Sequence, residues 1–430
     1  MEELPNKKSF RHYLYFMAGQ QFSILGSGII GFVITWWITV ETQSVFYLSL
    51  STFLIFLPQV IVAPFAGVLS DRMNRKTIIF IVDSMQALLT FGLFLMFSAG
   101  FTHISMILII HTLRNILFAF QVPTLYAIPP SMVPKENLSR INGANSLFSG
   151  LIYMVGPILS ALLLELFPIT SILLIDIVTF LIAMVPLFLI KIPFVAKEIR
   201  AVEKPSFMRE FKDGFKIVKA IPGLLAMIIF AMIFNFVFRP YHVLWPYFIK
   251  VLHDGTAFHL AFLFGSMQVG SLIGSLITSI KKEWKNKIKI NLLGEMVYFI
   301  FYLVFIILAP YQNFYMMMIG GFLGSTIFPI TVAIYLTILQ TVVPSDKIGR
   351  IMSIDHTISM AIAPIGALLV WPLADLMGVI NLLIVSAIIG IVNPIFLWFF
   401  TKIRYLERPQ EPEIEVTSTQ EAIELETKEI

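Results

Sequence analysis

Twelve apolar stretches, each long enough to cross a lipid bilayer as a helix, follow one another along this 430-residue chain. The hydrocarbon core of a bilayer is about 30 Å thick, and about 20 helical residues span it. Hydrophobic residues make up 58% of the chain and charged residues 13%, which is more apolar surface than a soluble fold can bury. The sequence therefore predicts an all-α membrane protein with spans near 12–40, 44–70, 77–100, 103–128, 141–166, 168–190, 221–249, 257–280, 287–309, 313–340, 349–373 and 378–401.

The longest polar interruption, residues 191–220, divides these spans six and six. It separates a predicted N-terminal six-helix bundle (1–190) from a C-terminal one (221–401). Within this basic linker Phe207, Phe211, Phe215 and Val218 recur at helical spacing, which predicts either an amphipathic helix on the membrane surface or a solvated linker helix. The Glu-rich tail, residues 402–430, is expected to be disordered.

The two halves repeat one short motif. Val133 to Ile141 reads VPKENLSRI and Val343 to Ile351 reads VPSDKIGRI, at an offset of 210 residues. Each copy precedes a corresponding span, the fifth and the eleventh. This indicates two parallel six-helix repeats related by pseudo-symmetry.

The distribution of basic residues predicts the orientation in the membrane. Of 30 Lys and Arg residues, 27 fall in the terminal segments and in alternate loops on one side; Lys250, Arg114 and Arg239 are the others. Because basic residues stay mostly on the cytoplasmic side, we expect a multi-pass plasma membrane protein with both termini in the cytoplasm. The net charge of +4 follows from this topology and gives no reason to expect a nucleic-acid partner.

A charged hinge joins the second and third spans and contains Gly67, Asp71, Arg72, Arg75 and Lys76. This G-x-x-x-D-R-x-x-R-K pattern, with two six-helix halves and a basic central loop, resembles the major facilitator superfamily. Within it the chain resembles bacterial macrolide efflux proteins, which are drug:proton antiporters, through Ala18-Gly19-Gln20, Leu57-Pro58, Pro64, the hinge, Asp83, Arg114, Ala119-Phe120, Pro123, Asp176 and Gly349-Arg350.

The resemblance implies a latch between the halves. Asp71 would face the cytoplasmic start of the eleventh helix near Gly349 and Arg350, where free N–H groups favour an anion, and would hold the outward-open state. Alternatively, the hinge charges only anchor the loop. Asn74 stands where the family pattern usually has glycine, and we expect it to adopt the left-handed turn conformation.

The fifth span carries Gly143, Gly156 and Pro157, which partly match the glycine-proline pattern of facilitator-family antiporters. Ile152, Ser160 and Ala161 replace three of its glycines. The motif then either couples the halves during transport or only allows close packing of helices.

Charged residues within spans are functional candidates because a central charge costs about 2.5–3.5 kcal/mol on insertion scales. Arg114 is expected near the midplane, and Asp176 lies at a depth that allows an ion pair with it. The implied fold places the fourth helix on the central cavity, so Arg114, His111 and Gln121 are predicted to form a polar track there. For Asp83 we expect Arg75 or Arg72 as partner and a packing or hinge role.

Three further ionisable residues, Glu41, Asp355 and His356, are candidates for proton coupling. Glu41 is shallow, at the outer end of the first span. Asp355 and His356 lie about two turns into the eleventh helix, where they would exchange protons with the cytoplasm or form a satisfied polar pair.

Aromatic and polar residues of the cavity helices are candidates for substrate contact. They are Phe22, Trp36, His111, Gln121, Phe236, Arg239 and Tyr335. Arg239 either lines the cavity, where it would favour an anionic or zwitterionic substrate, or snorkels to the outer interface.

These patterns together predict a proton-coupled efflux antiporter that exports amphipathic, macrolide-like molecules by alternating access. The alternatives are an uptake facilitator of the same fold and a membrane binding or assembly protein that does not transport. No phosphate-binding loop, metal-ligand cluster or nucleophile with a base is visible. We therefore expect no enzyme activity, cofactor or metal, and as partners only the substrate, protons and membrane lipids around a monomer.

Overall fold

The computed structural model describes residues 6–190, 192–193, 215–281, 283–345 and 347–407, without the side chains of residues 63, 64, 68, 71 and 360. In this part of the chain twelve helices are long and apolar enough to cross a membrane, which confirms the predicted all-α class. They are α1 (Lys7–Thr42), α2 (Val45–Arg72), α3 (Arg75–Ser98), α4 (Ile104–Ala127), α5 (Leu138–Leu166), α6 (Ile169–Leu189), α7 (Leu224–Tyr247), α8 (Ala257–Ile280), α9 (Lys287–Phe301), α10 (Phe314–Val342), α11 (Ile348–Met377) and α12 (Val379–Phe400).

Two helices continue as π-helical turns, α7 through Phe248–Leu252 and α9 through Tyr302–Ile307. Local sequence fixes the ends of others. The side chain of Asn6 accepts hydrogen bonds from the N–H groups of Lys8 and Ser9 and so caps the start of α1. At the other end Gln43 adopts a left-handed conformation with φ of 45° and ends the helix.

The helices form two bundles, α1–α6 and α7–α12. In the first, α1 packs on α5 and α6, and α3 packs on α4 and α6; in the second, α7 packs on α11 and α12, and α10 packs on α8 and α9. In both copies of the repeated motif a buried Val (Val133, Val343) precedes a proline, and a buried Ile (Ile141, Ile351) lies in the helix that follows. The two halves are therefore parallel structural repeats.

The bundles meet through α2 against α11 and α5 against α8. We call the face of the protein that carries the hinge and the segment Lys402–Glu407 the basic face, and the other the opposite face. Toward the opposite face one continuous apolar cluster joins the two bundles and includes Val33 and Ile34 of α1 with Tyr241 and Leu244 of α7. Phe46 and Trp371 also meet there, with ring centroids 4.9 Å apart.

Toward the basic face the apolar core is divided. One cluster there contains only residues of the first bundle and its connections, such as Tyr13 and Met132. The other contains only residues of the second bundle and its flanking segments, such as Ile334 and Ile351. Because the halves share a core only toward the opposite face, the structure is closed at that face and open toward the basic face.

Two predictions about the segments around the bundles need correction. Phe207 and Phe211 of the linker lie outside the described residues, whereas residues 215–220 are helical and Val218 is buried in the core of the second bundle. This end of the linker therefore packs on protein.

The tail was predicted to begin at residue 402, but the structure describes residues up to Glu407 as part of the packed protein. Ile403 and Leu406 are buried in the second bundle. The carboxylate of Glu407 accepts hydrogen bonds from the N–H groups of Lys287 and Ile288 at 2.8 and 3.4 Å, which caps α9. Residues 408–430 lie outside the described part.

Candidate transport site

A chain of buried polar side chains runs through the interior of the N-terminal bundle. At its centre Nη1 of Arg114 on α4 donates to Oδ2 of Asp176 on α6 at 2.7 Å, the pair that similar depth allowed. The same nitrogen contacts the hydroxyl of Thr90 on α3, and this hydroxyl donates to Asp176 at 2.6 Å. All three residues are buried, so an ion pair in an apolar interior ties α3, α4 and α6 together.

Asp83 lies two turns from Thr90 along α3, toward the basic face, and is also buried. Its carboxylate accepts hydrogen bonds from Gln20 of α1 at 3.0 Å and from Gln121 of α4 at 2.7 Å. The prediction that Arg75 or Arg72 would be its partner is wrong. Arg75 begins α3, about 12 Å along the axis from Asp83, and Arg72 is exposed.

Neutral side chains join the two acids into one network. Ser27 of α1 donates to Asp176 at 3.0 Å and to Gln86 of α3 at 3.4 Å, and Gln86 donates to Gln121 at 3.5 Å. A side chain at Gly26 would collide with Thr179 of α6. Glycine at this position therefore allows α1 to approach α6 closely enough for Ser27 to reach Asp176.

The network holds two carboxyl groups and one guanidinium. Arg114 balances Asp176, whereas the hydrogen-bond partners of Asp83 in the described residues are neutral amides. A buried charge without a counter-charge is costly. Chemically, this cluster can become neutral by taking up one proton.

The predicted polar track along the cavity face of α4 does not form. Arg114 and Gln121 contact α3 inside the bundle, and His111 is buried with neither ring nitrogen bonded among the described residues. Residues 111, 114 and 121 share one helical face, and the rotation of α4 turns this face toward α3. The depth of a residue in the membrane can be counted from the sequence, but the rotation of its helix about the helix axis depends on the neighbouring helices.

The two predicted cavity aromatics of α1 differ in exposure. Trp36 belongs to the apolar cluster that closes the opposite face, so its predicted contact with substrate does not apply to this state. Phe22 has 52% of its surface exposed and remains a candidate. Glu41 is exposed one residue before the end of α1, away from the network.

Arg239 lies near the middle of the span formed by α7 and its π-helical turn, about 20 Å from either end. Its guanidinium carbon is 4.6 Å from the ring centroid of Phe56 on α2, in the other bundle. Gly366 of α11 packs against its stem and against Phe236. This position agrees with the cavity alternative and not with snorkelling to the outer interface.

Tyr335 and Asp355 link α10 to α11, because the tyrosine hydroxyl donates to the carboxylate at 2.5 Å. Asp355 is half-buried, and the neighbouring His356 is exposed. Asp355 is thus held by a phenol, not by the adjacent histidine. It stands apart from the buried network of the first bundle.

The hinge cations hold their own bundle. Nη1 of Arg75 donates to the carbonyl of Ala127 at 2.8 Å, at the end of α4, and Nζ of Lys76 donates to the carbonyls of Phe188 and Ile190 at the end of α6. Cations at helix C-termini are favourable because free carbonyls collect there. Asn74 is extended, with φ of −63°, and caps α3, so its predicted left-handed conformation is wrong.

The two glycines of the predicted latch have open space around them in the described part of the chain. Gly349 and Arg350 are exposed at the start of α11, and a side chain added at Gly67 or Gly349 would meet no atom within 4 Å. The side chain of Asp71 lies outside the described part. Open space at Gly67 and Gly349 is what parted bundles at the basic face would leave.

In α5 the predicted glycine-proline motif faces different surroundings along the helix. Gly156, followed by Pro157, faces Leu25 of α1, and Gly143 faces open space. The close contact with the second bundle is instead at Gly150, where Gln268 and Leu272 of α8 approach. Of the two motif glycines, Gly156 therefore packs within its own bundle in this state, whereas Gly143 is unpacked.

Sequence reasoning missed the neutral members of the network: Gln86, Thr90 and Ser27. A signal was present, since Asp83, Gln86 and Thr90 recur at i, i+3 and i+7 on one face of α3. A polar stripe on a membrane helix indicates a partner inside the bundle. The predicted site was built from charged residues and therefore did not include these neutral side chains.

Comparison with known proteins agrees with this geometry. A protein-family profile, the Major Facilitator Superfamily, matches residues 16–367. The chain is 27% identical over 394 residues to Macrolide efflux protein A of Streptococcus pyogenes, covering 91% of this chain and 96% of that protein. It is 21% identical over 399 residues to the Multidrug efflux pump Tap of Mycolicibacterium fortuitum, covering 90% and 95%.

Solved structures share the fold at low identity. A mutant of the nucleoside transporter NupG superposes with a TM-score of 0.70 at 11% identity, covering 91% of this chain and 100% of that one. A bacterial homologue of the iron transporter ferroportin in the inward-facing state gives 0.68 at 14% identity, covering 90% and 98%. The two bundles, the hinge and the profile match lead to one assignment: this chain is a multi-pass membrane transporter that belongs to the Major Facilitator Superfamily.

Proposed function

We propose that the protein is a proton-coupled antiporter that exports amphipathic organic molecules, macrolide-like compounds among them, across the plasma membrane. The observation that carries the proposal is the buried network of two carboxyls and one guanidinium around Asp83, Asp176 and Arg114. The names of the efflux proteins to which the chain is similar support export of drug-like cargo.

The basic face is proposed to be cytoplasmic. It carries the hinge cations Arg72, Arg75 and Lys76 and both ends of the described chain, as the positive-inside rule requires. The structure is open toward this face, so in this orientation it corresponds to the state that accepts cargo from the cytoplasm. The protein would act as a monomer, since each chain contains both halves of the rocking pair.

Asp83 is proposed to carry the coupled proton. When Asp83 is ionised, the network bears one negative charge that no described cation balances, and uptake of a proton removes it. The ligands of the carboxylate, Gln20 and Gln121, belong to α1 and α4. Gain or loss of the proton would change how these helices are held, which gives protonation a route to the cavity helices.

The latch belongs to the other half of the cycle. When the basic face closes, Gly67 and Gly349 lose the open space around them, and Asp71 would come near the N-terminus of α11. Free N–H groups there stabilise an anion by about 0.3–1 kcal/mol or more. We propose that this contact holds the outward-open state, while Arg75 and Lys76 keep the hinge fixed to α4 and α6.

Two alternatives make different predictions. An uptake facilitator of the same fold would move cargo inward when a proton gradient is imposed, whereas the antiporter moves it outward. A membrane protein that binds without transporting would show no exchange of labelled for unlabelled cargo across vesicles. The charge imbalance of the network favours a proton-coupled transporter over a protein that only binds, and the similarity to efflux proteins favours export over uptake.

The experiment is accumulation of a radiolabelled macrolide in drug-sensitive bacterial cells. Cells with the wild-type protein are compared with cells that carry Asp83→Asn at equal expression, before and after a protonophore. Lower accumulation in wild-type cells alone, restored by the protonophore, is the expected result. Equal accumulation in all cells would overturn macrolide export.

A further inference from the structure

We propose that Arg239, stacked on Phe56, is the recognition point for an anionic group of the transported molecule. The inference rests on the proposed export function and extends its cargo class to amphipaths that carry a carboxylate, sulfonate or phosphate. It starts from the position of the guanidinium between the two halves of the protein. The guanidinium belongs to α7 of one bundle and the ring beneath it to α2 of the other.

No residue in the described part of the chain neutralises Arg239. It forms no ion pair or hydrogen bond there, and its Nε is buried without a partner. The acids of the flanking helices are distant along the chain. Asp71 follows Phe56 by 15 residues on α2, which corresponds to about 22 Å of helix. On α11, Asp355 precedes Gly366 by 11 residues and Asp375 follows it by 9, which correspond to about 16 Å and about 14 Å.

The two buried acids of the first bundle are already engaged, because Asp176 pairs with Arg114 and Asp83 with Gln20 and Gln121. A guanidinium at the middle of a membrane rarely persists without a partner. Lipid phosphates lie near the ends of the span, about 20 Å away. The remaining source of a counter-charge for Arg239 is an anionic group on the cargo itself.

The surroundings suit an amphipath. The ring of Phe56 covers one face of the guanidinium and also lies 5.6 Å from the exposed ring of His242. Phe236, one turn back on α7, adds apolar surface beside Gly366. A planar guanidinium donates two parallel hydrogen bonds to a carboxylate, sulfonate or phosphate, while the rings hold the apolar body.

The stacking of Arg239 on Phe56 would also couple cargo binding to the movement of the two bundles. Arg239 and Phe56 lie on opposite sides of the interface that must rock, so an anion that engages the guanidinium would compete with or reinforce its stacking on Phe56. Cargo would thereby be sensed at a contact between the halves. This makes Arg239 a specificity-determining residue of the same cavity.

The test uses two fluorescent probes with the same aromatic frame, 8-anilinonaphthalene-1-sulfonate and the neutral N-phenyl-1-naphthylamine. Binding to the full-length protein in nanodiscs is measured at equilibrium, with the signal of empty discs subtracted. The wild-type protein should bind the sulfonate about tenfold more tightly than the neutral probe. Equal affinities would overturn the proposal without any variant.

Variants then locate the effect. Arg239→Gln should weaken sulfonate binding by about tenfold and leave the neutral probe within about twofold, which also shows that the cavity is folded. Arg239→Lys should keep part of the preference. Lys250→Gln, which removes one cation near the opposite face, should change neither probe.

Loss of both probes alike in Arg239→Gln, or no loss of the sulfonate, would overturn the assignment. Binding is measured without a gradient, so failure of proton-driven export would leave this result unaffected.

Discussion

Arg114 of α4 and Asp176 of α6 form a 2.7 Å ion pair inside the N-terminal bundle, where both side chains are buried. Thr90 contacts both members from α3. The pair is thus the point at which three of the six helices of the bundle are joined. Because the pair is buried, a substitution that removes one member leaves the other charge without a counter-charge.

Arg114→Ala should destabilise the protein by about 3–5 kcal/mol, because it leaves the carboxylate of Asp176 buried without a cation. Thermal unfolding of the purified protein in detergent measures the loss. The double variant Arg114→Leu with Asp176→Leu removes both charges and should recover most of the stability. If the single variant were as stable as the wild type, the ion pair would not hold the bundle.

Asp71→Asn should lower transport several-fold while expression and melting temperature stay near normal, because the carboxylate is needed only when the basic face closes. Cargo accumulation at matched expression checks this. Glu136→Gln, an exposed acid at the same face, is the matched control and should have no effect. Full activity of Asp71→Asn would remove the latch from the mechanism and leave the hinge as a loop anchor.

The stability of the protein at the opposite face is expected to depend on pH through His253. Burial lowers the pKa of this imidazole from its ordinary 6.5, and Nδ1 accepts a hydrogen bond from the N–H of Gln312 at 3.2 Å. As pH falls, the imidazole therefore takes up a proton in the unfolded chain before it does so in the folded protein. The stability that the neutral, buried His253 contributes is complete above pH 6.5 and is lost as pH drops below that value.

The measurement is the melting temperature of wild type and His253→Gln between neutral and mildly acidic pH. The glutamine keeps an acceptor but does not titrate, so the variant should lose less stability on acidification. His103→Gln, an exposed histidine at the same face, should behave like the wild type. Parallel pH profiles for wild type and His253→Gln would show that His253 does not contribute.

Much of the architecture could be predicted from the sequence, because insertion in a bilayer depends on the length and composition of each segment. The predicted eighth span coincides with Ala257–Ile280, and the repeat around Val133 and Val343 indicated the two parallel halves. What failed was the tail boundary. Two apolar residues, Ile403 and Leu406, extend the folded part to Glu407.

The site was less predictable, since the partner of a side chain depends on helix rotation. The depth of Arg114 and Asp176 could be counted from the chain and showed that an ion pair was possible. That Asp83 meets Gln20 and Gln121 could not, because α1 and α4 approach α3 from elements distant in sequence. The stacking of Arg239 on Phe56 joins different bundles and likewise has no local signal.

The roles proposed for the motif residues stay predictions. Gly156 packs within its own bundle here and Gly143 faces open space, so a coupling role of Gly143, Gly156 and Pro157 would have to be exerted in another state. Their substitution tests packing and coupling together. The buried carboxyl at position 83 offers a cleaner separation, because asparagine keeps its size and one of the two oxygens that accept hydrogen bonds from Gln20 and Gln121.

The most direct test of the account is therefore cargo-induced proton movement in proteoliposomes that enclose a pH-sensitive dye, with wild type and Asp83→Asn reconstituted at equal density. In the wild type, cargo added under an imposed pH gradient should accelerate proton flux in the direction opposite to cargo movement. Asp83→Asn should bind cargo but lose this flux. Cargo-dependent proton flux that persists undiminished in Asp83→Asn would contradict the assignment of the coupled proton to the network.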